Sequence, residues 1–330
     1  MLYNYIGQEK IKTSIIGIGG LHFGVYLNKL QTKRILDKAL DSGINFIDSA
    51  PIYGNENSQK LIGEIIKDKR KDLILGTKIG LQKIINKNGN FGVKVIKMTR
   101  KRIIENLDKS LKDLKTEYID LFQLHAFDKS SNLEKILLTL EKLKKDGKIR
   151  EIGFSNFNSR ELNNSVSIAK ELNLKIATLQ VHHNLIERRA EKKIIPICKK
   201  NNIKPIFYRV LARGILSDKY LKKGYYPPQS RALDSERIKN TLTNQNIDIL
   251  KDLKKVASKY EKTVGDLAIA WQINNKLDKL LLLGVRDINQ LNSNISATKW
   301  VFNREVNNSL NNIFKKYAII KNRPRVFFEK

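Results

Sequence analysis

The sequence contains one cysteine and no long hydrophobic run, and each absence excludes a class of protein. Among 330 residues the single cysteine, Cys198, rules out an internal disulfide framework and suits a reducing compartment. No stretch near the first residue is apolar and long enough for a signal peptide, and no later segment is apolar enough to span a membrane. We therefore expect a cytoplasmic protein with no membrane anchor.

Acidic residues are scarce in comparison with basic ones. The chain has 33 Asp+Glu against 63 Lys+Arg, which gives a formal net charge of +30. Such a surplus occurs in proteins that bind nucleic acids or other anionic surfaces. Here, however, the lysines are spread over nearly every predicted helix, as at 67–72 and 141–150, and they form no basic tail. We interpret them as solvated helix faces and expect no specific nucleic-acid partner, although the charge can steer an anionic cofactor.

Short apolar strands alternate with amphipathic helices along the chain. The strands are continuous runs of Ile, Leu and Phe, which is typical of strands buried on both faces in a parallel sheet. Eight strands are predicted, at 15–19, 44–48, 73–78, 119–125, 151–155, 177–182, 204–208 and 279–284. Helical patterns lie near 31–42, 55–67, 99–115, 131–146, 158–173, 187–201, 248–275 and 287–298. This alternation predicts a (β/α)8 barrel, the TIM-barrel fold.

The same pattern predicts a single domain. The sequence has no low-complexity linker and no internal repeat, so we assign residues 1–330 to one barrel domain. Length alone would suggest two domains, but α/β barrels often reach this length as one. The predicted additions to the barrel are an N-terminal hairpin (3–14), long loops at 80–98 and 212–246, and a helix near 304–316 with a tail.

Three neighbouring predicted strands end on ionisable residues. The second strand ends on Asp48, the third on Lys78 and the fourth on His125, and Tyr53 lies in the loop after the second. In a TIM barrel the active site lies at these strand ends, and an ionisable side chain there is costly unless it is paired or used. Each residue alone could be structural, as a cap, an ion pair, a core histidine or a loop anchor. Together they predict a proton-transfer group.

Two other kinds of site lack support in the sequence. Gly17, Gly19 and Gly20 follow a strand, but no third glycine stands at the spacing of a dinucleotide-binding fingerprint and no helix opens there. His182 and His183 are adjacent in a predicted strand and point to opposite faces, and one cysteine completes no ligand cluster. We predict neither a Rossmann domain nor a metal site.

The chain resembles the aldo-keto reductase superfamily. The matching segments are GINFIDSAPIYGN, LGTKIG, YIDLFQLH, GKIREIGFSNF, ERRAEKKIIPICKKNNI and LARGILSDKY, in the family's order over residues 1–300. The resemblance implies a TIM barrel that binds NADPH without a Rossmann domain and reduces an aldehyde or ketone to an alcohol. It also implies a small-molecule carbonyl substrate, and we expect a monomer or small homo-oligomer.

The resemblance assigns catalytic roles to the four strand-end residues. Tyr53 would be the general acid that protonates the carbonyl oxygen, Lys78 would lower the pKa of Tyr53, and His125 would orient the carbonyl. A phenol has a pKa of roughly 10, and a cation within about 4–6 Å can lower it by about 1–3 units. Asp48 would keep the buried Lys78 charged.

Cofactor contacts follow from the same resemblance. The predicted contacts of the nicotinamide carboxamide are Ser155, Asn156 and Gln180, and the aromatic residue that stacks on the nicotinamide ring is Tyr208. Arg209 and Leu211, which follow Tyr208, are further predicted cofactor contacts. The predicted contacts of the adenosine and its 2′-phosphate are Arg286, Gln290 and Asn294. Arg286, Gln290 and Asn294 follow one another at intervals of four residues, which places them on one side of a predicted helix. An arginine beside a helix N-terminus is a physical anion site, and an ordinary surface helix is the alternative.

The chain departs from the family pattern at three places. Arg209-Val210 replaces a frequent Ser-Pro, and Arg209 could bind the pyrophosphate or disturb the strand end. His183 stands where tyrosine is common, and Ala126 follows the catalytic histidine where relatives often have tryptophan. Ala126 should widen the substrate pocket.

A second function is compatible with the same residues. Some channel-associated relatives are NADPH-binding regulatory subunits of larger assemblies with weak catalysis, and they can keep the four catalytic residues. Turnover on a panel of carbonyl compounds would discriminate between the two functions.

Overall fold

Eight parallel strands close into a barrel. A computed structural model describes residues 1–85, 91–228, 230, 232–233 and 235–319 of the chain. Its strands are β1 (Tyr3–Ile6), β2 (Ile11–Ser14), β3 (Ile16–Gly19), β4 (Phe46–Asp48), β5 (Ile74–Ile79), β6 (Leu81–Ile85), β7 (Phe91–Val95), β8 (Ile119–Leu124), β9 (Ile149–Ser155), β10 (Thr178–His182), β11 (Lys204–Tyr208) and β12 (Leu280–Leu283). Around the barrel the strand order is β10-β11-β12-β3-β4-β5-β8-β9.

Helices alternate with the barrel strands along the chain. They are α1 (Lys29–Asp41), α2 (Ser58–Ile66), α3 (Arg100–Leu114), α4 (Leu133–Lys145), α5 (Ser159–Glu171), α6 (Ala190–Lys200), α7 (Glu236–Thr241), α8 (Asn244–Ser258), α9 (Val264–Asn274), α10 (Ile288–Ala297) and α11 (Arg304–Lys316). The predicted (β/α)8 barrel is therefore confirmed, together with the N-terminal hairpin of β1 and β2 and the helix at 304–316.

The barrel register brings the ends of neighbouring strands to one side. Every residue of β4, β5 and β8 is buried, as expected for strands covered on both faces. Asp48 pairs with Gly76 across β4 and β5, and Lys78 pairs with Gln123 across β5 and β8. Because the strands are parallel, Asp48, Lys78 and the residue after β8 come to the same end of the barrel.

Three predicted elements differ from the structure. The loop predicted at 212–246 contains the short helix α7. The predicted loop at 80–98 contains the antiparallel hairpin of β6 and β7, and its residues 86–90 lie outside the described part. The long helix predicted at 248–275 is two helices, α8 and α9. Glu261 adopts a left-handed conformation (φ 56°), which ends helical geometry. Thr263 then starts α9 with a capping box to Asp266, and these two local features outweigh the continuous apolar periodicity.

The chain packs as two compact units. The first comprises residues 1–181, 191–208 and 278–291, and it contains the barrel strands apart from the last residue of β10. The second comprises the described residues within 182–190, 209–277 and 292–330. Its apolar core includes Leu250 from α8, Leu267 and Trp271 from α9, and Phe314 from α11. A single domain over the whole chain stays a prediction.

Within the described residues, no helix combines the length and the apolar character that crossing a bilayer requires.

Lys279, directly before β12, is a buried cation in the barrel unit. Only 2% of its surface is exposed, and this burial lowers the pKa of its ammonium group to about 8, although the charge of Asp278 opposes the shift. Between pH 8 and 10.5 the unfolded chain therefore binds more protons at this lysine than the folded protein does. In that window the contribution of Lys279 to the free energy of unfolding rises with pH.

We expect Lys279→Met to stabilise the protein at pH 7 by on the order of 1–3 kcal/mol, because no buried amine then has to be protonated. The gain should shrink toward pH 10. Urea unfolding of both proteins at pH 7 and pH 9.5 measures it. Lys251→Met, at an exposed lysine of α8, is the matched control and should show no pH-dependent gain. A Lys279→Met variant that is less stable than the wild type at pH 7 would contradict this interpretation.

Candidate active site

Lys78 is the centre of the polar cluster at the barrel end. Its side chain is completely buried, and its Nζ donates to Asp48 Oδ2 at 2.5 Å and to the Ser49 carbonyl at 2.8 Å. A longer contact of 3.4 Å joins Nζ to the Tyr53 hydroxyl. The three hydrogens of the ammonium group thus have three acceptors, which a buried cation needs.

Two opposing effects act on the charge of Lys78. Burial alone lowers the pKa of this ammonium group, whereas the negative charge of Asp48, together with Tyr53, raises it. The net shift is upward from the ordinary value. Lys78 therefore stays protonated at neutral pH in spite of its complete burial.

His125 completes the group of four predicted catalytic side chains. It is buried, and its ring lies edge-on to Tyr53 with 5.9 Å between the ring centroids. Burial, and then the charge of Lys78, lower the pKa of His125 well below its usual range. The imidazole is therefore neutral at neutral pH, with one donor and one acceptor nitrogen.

The segment after Tyr53 has an unusual backbone conformation. Gly54, Asn55 and Glu56 have φ angles of 58°, 52° and 69°, all in the left-handed region. A Cβ atom on Gly54 would lie 2.0 Å from the Phe23 carbonyl oxygen, so only glycine fits there. Lys83 of β6 donates to Asn55 Oδ1 at 2.6 Å and so ties this segment to β6. Left-handed Asn55 and Glu56 store strain directly beside the tyrosine.

The predicted nicotinamide contacts form one hydrogen-bonded network. Asn156 donates through Nδ2 to the His125 carbonyl and to Ser155 Oγ, both at 3.0 Å, and its backbone N–H donates to the Gln180 carbonyl at 3.0 Å. The Tyr208 hydroxyl donates to Asn156 Oδ1 at 2.6 Å. Gln180 Nε2 is buried and has no hydrogen-bond partner among the described residues.

Arg286 and Gln290 lie at the start of α10. The Arg286 guanidinium lies 4.4 Å above the centroid of the Tyr26 ring. Gln290 Oε1 accepts from the Arg286 backbone N–H at 3.1 Å, and Asp287 Oδ1 accepts from the Gln290 N–H at 2.8 Å. The two predicted nucleotide contacts are thus neighbours in the barrel unit. Asn294, further along α10, is buried and belongs to the second unit.

Arg209 and Leu211 also belong to the second unit. Arg209 has a left-handed backbone (φ 56°), and its carbonyl accepts from Asn184 Nδ2 at 2.9 Å. His183, which stands where tyrosine is common, is buried, hydrogen-bonded to Gln272 and stacked on Trp271. The side chain of His183 thus serves the packing of its own unit. Contact of Arg209, Leu211 or Asn294 with a cofactor stays a prediction.

Two residues that were not predicted from the sequence support the cluster. Gln123 Nε2 donates to Asp48 Oδ1 at 2.9 Å, and the Ser49 carbonyl accepts from Lys78. Gln123 did carry a signal, because it is a polar residue inside an apolar strand, two positions before His125 and therefore on the same face. The Ser49 contact uses the backbone, and no side-chain pattern reveals it.

Comparison with known proteins identifies the family. Residues 15–315 match the model of the Aldo/keto reductase family. The chain therefore belongs to the aldo/keto reductase family and is an oxidoreductase.

Individual relatives are similar over nearly the whole chain. The aldo-keto reductase YhdN of Bacillus subtilis (strain 168) is 31% identical, with 96% of this chain and 94% of that protein covered. The aldo-keto reductase yakc of Schizosaccharomyces pombe, whose name carries NADP(+), is 28% identical, with 89% and 86% covered. The solved structure of the glycerol dehydrogenase AKR11B4 from Gluconobacter oxydans has a TM-score of 0.83 and 26% identity, with 99% of each chain covered.

We expect Glu56→Gly to stabilise the protein by about 0.5–1 kcal/mol, because glycine adopts the left-handed conformation without strain. Thermal unfolding measures this as a midpoint shift of about 1–3 °C. Glu105→Gly makes the same substitution in the right-handed helix α3 and should lower the midpoint instead. Equal destabilisation by both variants would show that Glu56 is not left-handed in solution.

Proposed function

We propose that this protein is an NADPH-dependent reductase that converts an aldehyde or ketone into an alcohol, with Tyr53 as general acid and, in reverse, as general base. The observation that carries the proposal is the fully buried Lys78 ammonium, 2.5 Å from Asp48 and 3.4 Å from the Tyr53 hydroxyl. A buried cation beside a phenol favours loss of the phenolic proton. Family membership supports the same reaction class.

The proton step follows from this arrangement. As the carbonyl is reduced, its oxygen gains negative charge and takes the proton of the Tyr53 hydroxyl. The phenolate left behind is stabilised by the Lys78 ammonium, and Asp48 keeps that ammonium charged inside the barrel. In the reverse direction the phenolate takes the proton of an alcohol. Bound NADPH supplies the hydride for the carbonyl carbon.

His125 orients the carbonyl rather than donating the proton. Its imidazole is neutral because burial and the Lys78 charge lower its pKa. A neutral imidazole is a far weaker acid than an imidazolium ion, but its N–H can still donate a hydrogen bond to the carbonyl oxygen. Its position edge-on to Tyr53 suits a shared substrate oxygen.

The residues around Gln180 fit the nicotinamide end of the cofactor. Gln180 Nε2 is a buried donor without a partner among the described residues, and a carboxamide oxygen would satisfy it. Asn156 and Ser155 lie in the same hydrogen-bonded network, and Tyr208 is tied to Asn156 through its hydroxyl. The relative whose name carries NADP(+) supports the choice of cofactor.

Arg286 is the proposed contact for the 2′-phosphate. Arg286 stands two residues before α10, a helix whose N-terminal dipole also favours an anion, and its guanidinium contacts the Tyr26 ring. A planar guanidinium can bind phosphate through two parallel hydrogen bonds. The positive net charge of the chain adds long-range attraction for the same anionic cofactor.

The experiment that tests the function is NADPH oxidation measured against aldehydes, ketones and sugar-derived carbonyl compounds. Turnover on members of this panel would support the reductase. Tight NADPH binding without turnover on any member would favour the regulatory-subunit alternative.

We expect Tyr53→Phe to reduce turnover by about 10²–10⁴-fold, because general acid catalysis supplies about that factor. The fold and the affinity for NADPH should stay nearly unchanged, since only the hydroxyl oxygen of Tyr53 is removed. Lys78→Met should also abolish most turnover, because the phenolate loses its stabilising cation. The double variant should lose little more than either single variant, since both residues act on one proton transfer.

Two controls make the test of Tyr53 interpretable. Tyr5→Phe removes the same oxygen from an exposed tyrosine of β1 and should leave turnover unchanged. Lys78→Met leaves Asp48 buried without its cation, so circular dichroism and NADPH binding must show that this variant is folded. Near-native turnover of Tyr53→Phe on a good substrate would refute the assigned mechanism.

We expect Arg286→Met to weaken NADPH far more than NADH, because the two cofactors differ only by the 2′-phosphate. The selective loss should be about 1.5–3 kcal/mol, the usual value for a charge-assisted contact. Calorimetric titration with both cofactors measures it. Lys251→Met, at an exposed lysine, lowers the net charge by the same amount and should spare both affinities. Equal losses for both cofactors would make Arg209 the better candidate.

A further inference from the structure

Tyr26 stands on a closed turn in the segment between β3 and α1. The backbone N–H groups of Tyr26 and Leu27 donate to the His22 carbonyl at 3.0 and 3.2 Å, and the Gly24 N–H donates to the Leu27 carbonyl at 2.9 Å. Gly24 has a φ of 80°, which suits glycine at this position of the turn. Immediately afterwards a capping box at Asn28 starts α1. The backbone that carries Tyr26 is therefore fixed on both sides.

The Tyr26 ring contacts both His22 and Arg286. Its centroid is 5.5 Å from that of His22, with the rings perpendicular, and the Arg286 guanidinium lies 4.4 Å above it. His22 in turn packs over Gly284 at the end of β12, where an added Cβ would lie 3.1 Å from His22 Cε1. The ring that touches Arg286 is thus anchored against the strand that leads into Arg286.

Exposure distinguishes Tyr26 from an ordinary core aromatic. The residue is 55% exposed, so its burial contributes little to the stability of the fold. This partly exposed ring contacts the Arg286 guanidinium. Such a stack is attractive even at an exposed site.

Contact with an aromatic ring is compatible with anion binding by a guanidinium group. A guanidinium stacks through its face, while its N–H groups point outward in its own plane. Contact with the Tyr26 ring therefore does not compete with two parallel hydrogen bonds to a phosphate. A guanidinium that is already held in place also loses less rotamer freedom when it binds.

We propose that Tyr26 is a positioning residue that strengthens the preference for NADPH over NADH by holding the Arg286 guanidinium in its phosphate-binding orientation. The inference rests on the proposed function, in which Arg286 contacts the 2′-phosphate. It adds Tyr26, near the start of the sequence, to a phosphate contact formed by Arg286, near its end.

The test is a double-mutant cycle on cofactor binding. Calorimetric titration with NADPH and with NADH is carried out on wild type, Tyr26→Leu, Tyr26→Phe, Arg286→Met and the variant with both Tyr26→Leu and Arg286→Met. Tyr26→Phe keeps the aromatic face and is the matched control for Tyr26→Leu. Thermal unfolding of each variant checks the fold.

We expect Tyr26→Leu to raise the Kd for NADPH by about two- to five-fold, the factor that corresponds to an exposed cation–π contact, and to leave the Kd for NADH unchanged. Tyr26→Phe should retain the wild-type ratio of the two Kd values. In the Arg286→Met background, Tyr26→Leu should have no further effect, because the group that it positions is gone.

Other outcomes overturn the inference in distinguishable ways. A selective loss in Arg286→Met without one in Tyr26→Leu would overturn this inference and leave the proposed phosphate contact intact. Equal weakening of both cofactors by Tyr26→Leu would show a general structural role, and tighter NADPH binding would show that the stack competes with the phosphate. If Arg286→Met itself spares NADPH, both the phosphate contact and this inference fail.

Discussion

The buried pair of Asp48 and Lys78 is the interaction on which the rest of the site depends. Removing two charges from water is costly, and their attraction offsets the cost only when their remaining hydrogen-bonding groups are satisfied. The barrel meets this condition with three adjacent strands: β4 supplies Asp48, β5 supplies Lys78, and β8 supplies Gln123, which donates to the second oxygen of Asp48. In the proposed mechanism, this cation is already fixed beside Tyr53 before any substrate arrives, so formation of the phenolate would need no reorganisation.

The proposed nicotinamide contacts are tied to the same strand ends. Asn156, after β9, donates to the His125 carbonyl after β8, and it accepts from Tyr208 at the end of β11. A shift of any one of these strand ends would therefore move Tyr208, Asn156 and His125 together. In the proposed function, this coupling would keep the hydride donor and the proton donor aligned without a separate nucleotide-binding domain.

Local sequence signals were sufficient to predict the barrel and the four candidate catalytic residues. Other features depend on tertiary contacts that such signals do not reveal. Continuous apolar runs identify the strands because both faces are buried, and Asp48, Lys78 and His125 are conspicuous because each interrupts such a run. The hairpin of β6 and β7 lacks this signal, since its side chains are partly exposed and include lysines. The contact of Tyr26 with Arg286 joins residues 260 positions apart on a loop and a helix start, so no periodicity reveals it.

Two buried lysines of the barrel unit show why burial alone does not define a catalytic cation. Burial lowers the pKa of both, but at Lys78 the charge of Asp48 outweighs burial, whereas at Lys279 the charge of Asp278 does not, and its pKa falls to about 8. The two carboxylates, Asp48 and Asp278, differ in burial and in hydrogen-bond partners. Asp48 is itself buried and accepts from Lys78, whereas Asp278 is largely exposed and accepts from Lys204 and Asn4. In the predicted catalytic group, the buried carboxylate whose charge outweighs the burial of Lys78 is Asp48.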